Sequence, residues 1–548
     1  MSHTYLSKAT NRKTTPQSQP IPGKAQVKNS AGGYVFKLDD WKRLERFLIL
    51  GSESPTYYAS SRKLTAENVT CLENCLKQDA ERFIRTIRDI SACGRAPSND
   101  PALLALALAS SLGSAEVKAQ IGAVLPQIAR TGTHLFHFIQ FTDGMRGWGR
   151  GLRNAIADWY YAHPIDQRAY QMIKYQSRDG WSHRDVLRQA HVKPRSDDYA
   201  NLFAYVVGKP FERAALPLQV EAFETLKSIT TPPNASKSEV ANAIKLIVDN
   251  ELPRECVPTE WLNLPEVWEA LLEKMPYMAM IRNLGKMSNV GLLRHLSKAT
   301  AKVVDRLGDV EALRKARVHP VQVLMALSTY RSGAGLRGSL SWSPEKPIVG
   351  ALNAAFYSAF TAVEPTGKRF YIGLDISGSM DGGHVAGTNL TPREVGAVLS
   401  MVTMRTEKRY HAIGFTTNDS LTPLPISPEM DLETVVRRCQ CLPMGGTDCA
   451  LPMLDALRAK MEVDCFIVIT DNETWAGSTH PSQALVKYRK AMGIDAKMVV
   501  MGLTSTGFSI ADPSDGGMLD VVGFDSAAPA VIADFVTGGK NNTAVEDD

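Results

Sequence analysis

From about residue 38 to residue 330, apolar residues recur at the three- and four-residue spacing of a helix face. In "LDDWKRLERFLIL", Trp41, Leu44, Phe47 and Leu48 share one side. In "WGRGLRNAIADWYY", Trp148, Leu152, Ile156 and Trp159 do the same, and "VEALRKARVHPVQVLMALSTY" is a further block. The run "ALLALALASSL" at 102–112 is too short to span a bilayer and predicts a buried helix. No long alternating strand signal interrupts the series. So many consecutive helices exceed a single bundle core, and stacked helical hairpins of the solenoid kind are the natural solution. No clean period is visible, so any repeats are degenerate.

The pattern changes after a glycine-serine stretch, "RSGAGLRGSLSW" at 331–342, a helix over about 347–361 and the break "EPTGKR" at 364–369. "RFYIGLDI", "RYHAIGF", "DCFIVITDN" and "AKMVVMGL" read as strands. "TPREVGAVLSMVTMRTE", "ALPMLDALRAKM" and "PSQALVKYRKAM" read as the helices between them. Such alternation predicts a doubly wound parallel α/β sheet, which binds ligands beyond the carboxyl ends of its strands. The fold class is therefore multidomain: an all-α helical-repeat region over 31–363 and an α/β domain over 364–538. A disordered basic tail over 1–30 precedes them and a polar tail over 539–548 follows.

Composition adds limits. Of 548 residues, 44% are hydrophobic and 22% charged, an ordinary globular balance with ample length for large cores. "MSHTYLSKATNRKTTPQ" lacks the apolar stretch of a secretory signal. The first carboxylate is Asp39, but prolines at 16, 20 and 22 favour a disordered tail over a transit peptide. Cysteines at 71, 75, 93, 256, 439, 441, 449 and 465 form no C-x-x-C pair, so the expectation is buried free thiols in a reducing, cytoplasmic compartment. Net charge is +5, yet Arg130–Arg195 alone holds 11 Lys/Arg against 5 Asp/Glu, an excess of 6. That local excess points to a polyanionic partner.

The segment "GLDISGSM" places Asp375, Ser377 and Ser379 at alternate positions just after an apolar strand. The bland reading is a turn with Asp375 as a helix cap. A nucleophilic serine is not supported, because G-x-S-x-G fails at both serines, and no P-loop motif occurs. "MGGTDCALPM" puts Thr447 before a helix, and "FIVITDNET" puts Asp471 directly after a strand. Two carboxylates and three hydroxyls on one sheet edge make a hard site of low charge for a divalent cation, Mg2+ foremost. A carboxylate or phosphate from a partner could complete the shell. The set resembles the metal-ion-dependent adhesion site of von Willebrand factor type A domains over about 365–538. That resemblance implies partner binding without catalysis.

In "YQMIKYQSRDGWSHRDVLRQAHVKP", Lys174 and Arg178 are four apart and predict one helix face, with Gly180 ending that helix. Ser182 caps the next helix with Asp185 at the capping-box position. Arg184, Arg188 and His191 then share a face, while Val186, Leu187 and Ala190 point to the core. A solvated charged face is the plain alternative. Upstream, "ARTGTHLFHFIQF" sets Arg130 and Thr131 at a helix start, a reasonable phosphate site.

These stretches, with "NSAGGYVFKLDDWKRLERFLILGSESPTYY", "WGRGLRNAIADWYY", "GGTDCALPM", "TDNET" and "GFSIADPSDGGMLDVVGFD", resemble the Ro autoantigen or TROVE-domain family in order from about 29 to 538. The resemblance implies a ring of HEAT-like repeats closed by the von Willebrand type domain. It implies binding of small noncoding Y RNAs on the outer surface and of single-stranded 3′ ends of misfolded RNAs in the central hole. It also implies adaptor contacts with an exoribonuclease in bacteria. By motif, Lys174, Arg178 and His191 fall on RNA-contact positions, whereas Arg130, Thr131, Arg184 and Arg188 are added from charge and geometry. The expectation is a monomeric, non-catalytic RNA-binding protein. The alternative is a metal-dependent protein-binding adaptor in which RNA is incidental; a metal-dependent hydrolase is the other rival.

Overall fold

The computed structural model describes residues 14–538 apart from 51–60, 94, 97, 317, 336–338, 361–363, 384–389, 418–419, 504–505 and 524–527. Residues 1–13 and the tail at 539–548 lie outside the described residues, as does the middle of the glycine-serine stretch. Two compact units emerge. One combines the chain up to Cys71 with the chain from Phe360 onward, and the other is Leu72–Ala359. These units do not coincide with the boundaries read from the sequence at 31 and 364.

The first helices are α1 (Asp40–Leu50), α2 (Ser61–Gln78), α3 (Ala80–Cys93), α4 (Asp100–Leu112), α5 (Ala115–Ile128) and α6 (Gly132–Asp143). They continue as α7 (Arg150–Tyr161), α8 (Ile165–Lys174), α9 (His183–Ala190), α10 (Asp197–Val207), α11 (Leu218–Ser228) and α12 (Lys237–Asp249). The helical unit ends with α13 (Pro265–Lys274), α14 (Tyr277–Asn289), α15 (Lys298–Leu307), α16 (Val310–Lys315), α17 (Pro320–Ser332) and α18 (Lys346–Ser358). Helix α3 buries Phe83, Ile84, Ile87 and Ile90 on one face, and α4 is buried almost throughout, whereas the single block read at 310–330 divides into α16 and α17. Neighbours one or two along the chain pack together, α4 on α6, α5 on α7, α12 on α13 and α17 on α18. A unit built from such near-neighbour contacts gains its core by stacking, as solenoids do. Among the described residues no helix is long and apolar enough to cross a membrane.

The α/β unit contains a six-stranded sheet. Its strands are β5 (Arg369–Asp375), β6 (Arg409–Phe415), β7 (Leu421–Pro423), β8 (Cys465–Thr470), β9 (Lys497–Gly502) and β11 (Met518–Val522), in the order β11-β9-β8-β5-β6-β7. All pairings are parallel except β6 with β7. The fully buried runs of β5, β8 and β9 explain why these strands read as continuous apolar stretches. Helices α19 (Pro392–Thr406), α20 (Leu432–Gln440), α21 (Leu451–Arg458), α22 (Pro481–Met492) and α23 (Ala528–Thr537) complete the unit. The chain leaves β5 toward β6 on one side and returns to β8 on the other, so the topological switch lies between β5 and β8.

The expected disordered tail is ordered from residue 14 onward. Strands β1 (Gln26–Lys28) and β2 (Tyr34–Lys37) form a hairpin, and β2 pairs with β10 (Phe508–Ser509). Val35 enters the same core as Tyr371, Phe415, Phe466 and Val500. Gln17 is fully buried: Nε2 donates to Asp448 Oδ1 (2.7 Å) and to the Thr479 carbonyl (2.8 Å), and Oε1 accepts from Thr474 Oγ1 (2.5 Å) and Gly477 N (3.3 Å). Its partners are more than 400 residues away, which is why a stretch of Gln, Ser and Pro reads locally as a tail. A polar side chain this well satisfied is part of the interior. Gly33 sits so close to Thr474 that a Cβ there would lie 1.9 Å from the Thr474 carbonyl oxygen, so only glycine fits.

Candidate metal centre and nucleic-acid interface

Asp375 ends β5 and is fully buried. Its Oδ1 accepts from Ser377 N (2.9 Å) and its Oδ2 from Thr470 Oγ1 (2.7 Å). Ser377 Oγ and Ser379 Oγ are 3.1 Å apart, and Ser379 hydrogen-bonds Asp471, whose Oδ1 also accepts from Glu473 N (2.9 Å). Asp471 follows β8 immediately, so the two carboxylates stand at the carboxyl ends of the switch-point strands. Backbone bonds draw in the third loop. Gly378 N donates to the Gly445 carbonyl (3.2 Å), and the Thr447 carbonyl accepts from Trp475 N (3.1 Å) and Ala476 N (3.0 Å). Thr447 is buried there. The structure thus brings Asp375, Ser377, Ser379 and Asp471 into one cluster, with the Thr447 loop stitched beside it.

The electrostatics fit a cation. Burial, and then the charge of Asp471, raises the Asp375 carboxyl well above its ordinary range; burial raises Asp471 too. Two buried carboxylates that each resist ionisation are relieved by a positive ion among hard oxygens. Among the described residues no group of three His, Cys, Asp or Glu forms a metal cluster. The candidate set is of the other kind, rich in hydroxyls.

Sequence reasoning missed what supports these loops. Arg393 is fully buried, donating Nη2 to the Ile376 carbonyl (2.9 Å) and Nη1 to the Leu442 carbonyl (3.2 Å), with Nε 2.9 Å from Asp381. It holds the serine loop by its backbone. Glu473, raised to about 7 chiefly by burial, accepts from Ala31 N (3.1 Å), and Asn29 Nδ2 donates to the Thr474 carbonyl (2.8 Å). The N-terminal segment is therefore built into the candidate metal loops.

In the helical unit the cationic residues sit differently from the sequence expectation. Helix α8 ends at Lys174, and residues 177–182 form a hairpin of β3 (Ser177–Arg178) and β4 (Trp181–Ser182). Asp179 and Gly180, with φ of 52° and 81°, make its two-residue turn. Lys174 and Arg178 therefore do not share a helix face, and Gly180 does not end a helix. Lys174 is half-buried, with Nζ 3.3 Å from Tyr170 Oη and near the Tyr170 and Tyr175 rings. Burial depresses its pKa, and Glu255 opposes this. Arg178 is exposed.

Helix α9 carries the expected capping box of Ser182 and Asp185. Val186, Leu187 and Ala190 are buried, whereas Arg184, Arg188 and His191 are exposed, His191 as a left-handed C-cap. Arg188 shares a recess of about 510 Å³ with Gly180, Trp181, Asp185 and Gln189. Trp181 pairs with Trp148 at 5.5 Å between ring centroids. Trp148 precedes the N-cap of α7 and is not on the helix face predicted for it. Arg130 and Thr131 lie outside this recess. Thr131 caps α6, its hydroxyl oxygen accepting from His134 N (3.2 Å), and Arg130 Nη1 donates to Ser91 Oγ (3.0 Å).

A histidine outside the expected set holds the hairpin. His137 Nδ1 is 2.7 Å from Asp100 Oδ1, and Nε2 is 3.2 Å from Asp179 Oδ2 at the turn. Both ring nitrogens face carboxylates, so the tether is complete only in the imidazolium form. The hydrogen bond to Asp100 raises the His137 pKa. A raised folded-state pKa means that the tether contributes fully below the unfolded value of about 6.5 and is lost as pH rises through the folded value. We expect the stability difference between wild type and His137→Gln to shrink from pH 6 toward pH 9 in thermal melts, and Asp100→Asn to lower the His137 titration midpoint seen by NMR. A difference that is constant with pH would rule the tether out.

The fold and these sites define a class: a stacked-helix unit joined to a von Willebrand A-type domain with a candidate metal-ion-dependent adhesion site. The chain matches the TROVE domain over residues 27–246 and 217–329 and the Ro60 vWA domain over residues 369–536. It belongs to the Ro60 family of TROVE-domain proteins. It is 40% identical over 540 residues to the RNA-binding protein RO60 of Deinococcus radiodurans, covering 97% of this chain and 99% of that one. It is 35% identical over 598 residues to the RNA-binding protein RO60 of Caenorhabditis elegans, covering 96% and 92%. The crystal structure of the Deinococcus radiodurans Ro (Rsr) protein superposes with a TM-score of 0.69 at 39% identity, covering 91% of this chain and all of that one.

Proposed function

We propose that this protein binds RNA without catalysis, acting in RNA quality control or as a ribonucleoprotein scaffold. The observation that carries the reading is the exposed cationic surface of the 177–182 hairpin and α9, with Arg178 opposite Trp181, Arg188 in the same recess as Trp181, and Arg184 and His191 exposed on α9. The names of the relatives support it. A hairpin RNA of the Y type is the ligand at this surface. Backbone phosphates supply most of the affinity, because the A-form major groove hides its bases. Single-stranded 3′ ends of misfolded RNAs are the second ligand, received by a central hole of the helical repeats. Eight free cysteines, six of them buried, agree with a reducing cytoplasm.

In the α/β unit, Asp375, Ser377, Ser379, Thr447 and Asp471 hold a divalent cation, Mg2+ by donor chemistry, when one is bound. Such an ion keeps positive character and attracts an acidic group of a protein partner, an exoribonuclease being one candidate. This low-charge donor set also favours the second reading, a metal-dependent adaptor in which RNA is secondary.

The test is the affinity of a structured RNA with a 3′ single-stranded tail at two salt concentrations. Lys174→Ala/Arg178→Ala is expected to weaken binding about tenfold or more and to lower the salt slope by about 1 per lost phosphate contact. His191→Ser acts in the same direction. Equal binding by wild type and the double variant would remove this surface from the RNA site and favour the adaptor.

A further inference from the structure

A second cationic feature of the helical unit lies apart from the hairpin surface. A cavity of about 700 Å³ opens between α3, α5 and α8, lined by Arg88, Gln127, Arg130, His163, Gln167 and Arg168 among others. None of the described residues lining it is Asp or Glu. Arg168 is 1% exposed. Its guanidinium stacks 3.5 Å from the centre of the Trp159 ring, with Nε donating to the Tyr160 carbonyl (3.2 Å) and Nη2 to the Trp159 carbonyl. Those bonds cap the end of α7 and hold the guanidinium rigid. They leave Nη1 without a hydrogen bond and the charge without a carboxylate partner among the described residues. Burial depresses Arg168 to about 10, which leaves it charged at neutral pH.

A buried cation normally has a counter-charge, because desolvating it alone is costly. The partial negative end of α7 meets part of that need. Nη1 has no such partner, and two more guanidiniums stand on the cavity wall, Arg88 3.2 Å from Asp89 and Arg130 bonded to Ser91, so the lining is positive around Arg168. The volume lies within the range of small-molecule sites and exceeds what one phosphate fills. Glutamine amides and the neutral imidazole of His163, whose pKa is lowered by burial and by Arg168, suit the polar remainder of a nucleotide.

We infer that this cavity binds the phosphate of a nucleotide, with Arg168 as its fixed anchor and Arg88 and Arg130 as rim contacts. The phosphate belongs either to a strand of bound RNA, an arm that rests on the RNA-binding reading, or to a free nucleotide, an arm that does not.

The experiment is calorimetric titration of the full-length protein with adenosine 5′-monophosphate, adenosine and a short oligouridylate. Arg168 supports α7, so the test variants are Arg88→Gln/Arg130→Gln and Gln167→Glu. Gln167 is exposed in the first turn of α8, where a carboxylate is tolerated and would pair with the arginines. We expect the monophosphate to bind at least tenfold more tightly than adenosine, and both variants to weaken it at least tenfold, Gln167→Glu with an unchanged melting temperature. Displacement of the monophosphate by oligouridylate assigns the phosphate to an RNA strand; no displacement assigns it to a free nucleotide. A tenfold loss of oligouridylate affinity in Gln167→Glu, without monophosphate binding, also supports the strand. If neither probe loses affinity in Gln167→Glu, the cavity is not an anion site. Lys174→Ala/Arg178→Ala serves as the control and leaves monophosphate binding unchanged, so failure of the hairpin surface and failure of the cavity are read separately.

Discussion

Arg46→Met is expected to destabilise the α/β unit by about 3–5 kcal/mol, the range for breaking a buried ion pair from one side. Arg46 lies on α1 and is 2% exposed. Its Nη2 contacts both carboxylate oxygens of Asp520 on β11 at 2.8 Å, and Nη1 donates to the Thr506 carbonyl (2.8 Å) and Oγ1 (3.0 Å). Ser509 Oγ adds a bond to Asp520 Oδ1 (2.5 Å). Removing the guanidinium leaves a buried carboxylate with one hydroxyl partner and no counter-charge. For a unit of this size the loss corresponds to roughly 2–4 °C per kcal/mol in its melting transition. Two units make a single global value meaningless, so the transition of the α/β unit is followed by calorimetry. Arg46→Met/Asp520→Asn should recover part of the loss, because the stranded charge is gone. Equal destabilisation in the single and double variants would mean that Arg46 acts by packing alone.

The second large effect concerns Asp375. A cation held 100-fold above its dissociation constant stabilises the unit by about 2.7 kcal/mol through binding alone. Wild type is therefore expected to melt higher in Mg2+ than in EDTA, and Asp375→Ala to lose that difference. Asp375→Asn adds a crossing pattern. In EDTA it should melt at or above wild type, because the repulsion from Asp471 is removed; in Mg2+ it should melt below. Hairpin RNA affinity should stay within twofold in both variants if the surface around α9 acts on its own. An identical Mg2+ shift in wild type and Asp375→Ala would remove Asp375 from the metal site.

The sequence carried much of this because the informative features are local. Strands β5, β6, β8 and β9 read correctly as strands of a parallel sheet, β5, β8 and β9 from their buried apolar runs. Asp375 and Asp471 stand out as carboxylates placed immediately after such runs. Helix α9 is legible from its capping box and its apolar face. What escaped depends on distant partners. Strand β11 carries Asp520 at its centre, which breaks the apolar run, and only Arg46, 474 residues away, explains a carboxylate there. Gln17 looks like tail for the same reason. The hairpin at 177–182 had a local signal, the Asp-Gly pair at its turn. The helical spacing of Lys174 and Arg178 outweighed it wrongly. The tether of His137 had no local signal, since its two carboxylates come from separate parts of the chain.

The discontinuous α/β unit has a consequence for how the chain is made. Residues 14–50 leave the ribosome long before β8 to β11, which cover Val35, Phe36 and Arg46. At 5–20 residues per second the interval is about 25–95 s. The intervening Leu72–Ala359 holds its own core and can fold meanwhile. The N-terminal segment cannot, and it waits with its apolar face uncovered until the last strands emerge. A ribosome that stalls before β11 is made therefore releases a chain in which residues 14–50 are unpaired and open to chaperones and proteases.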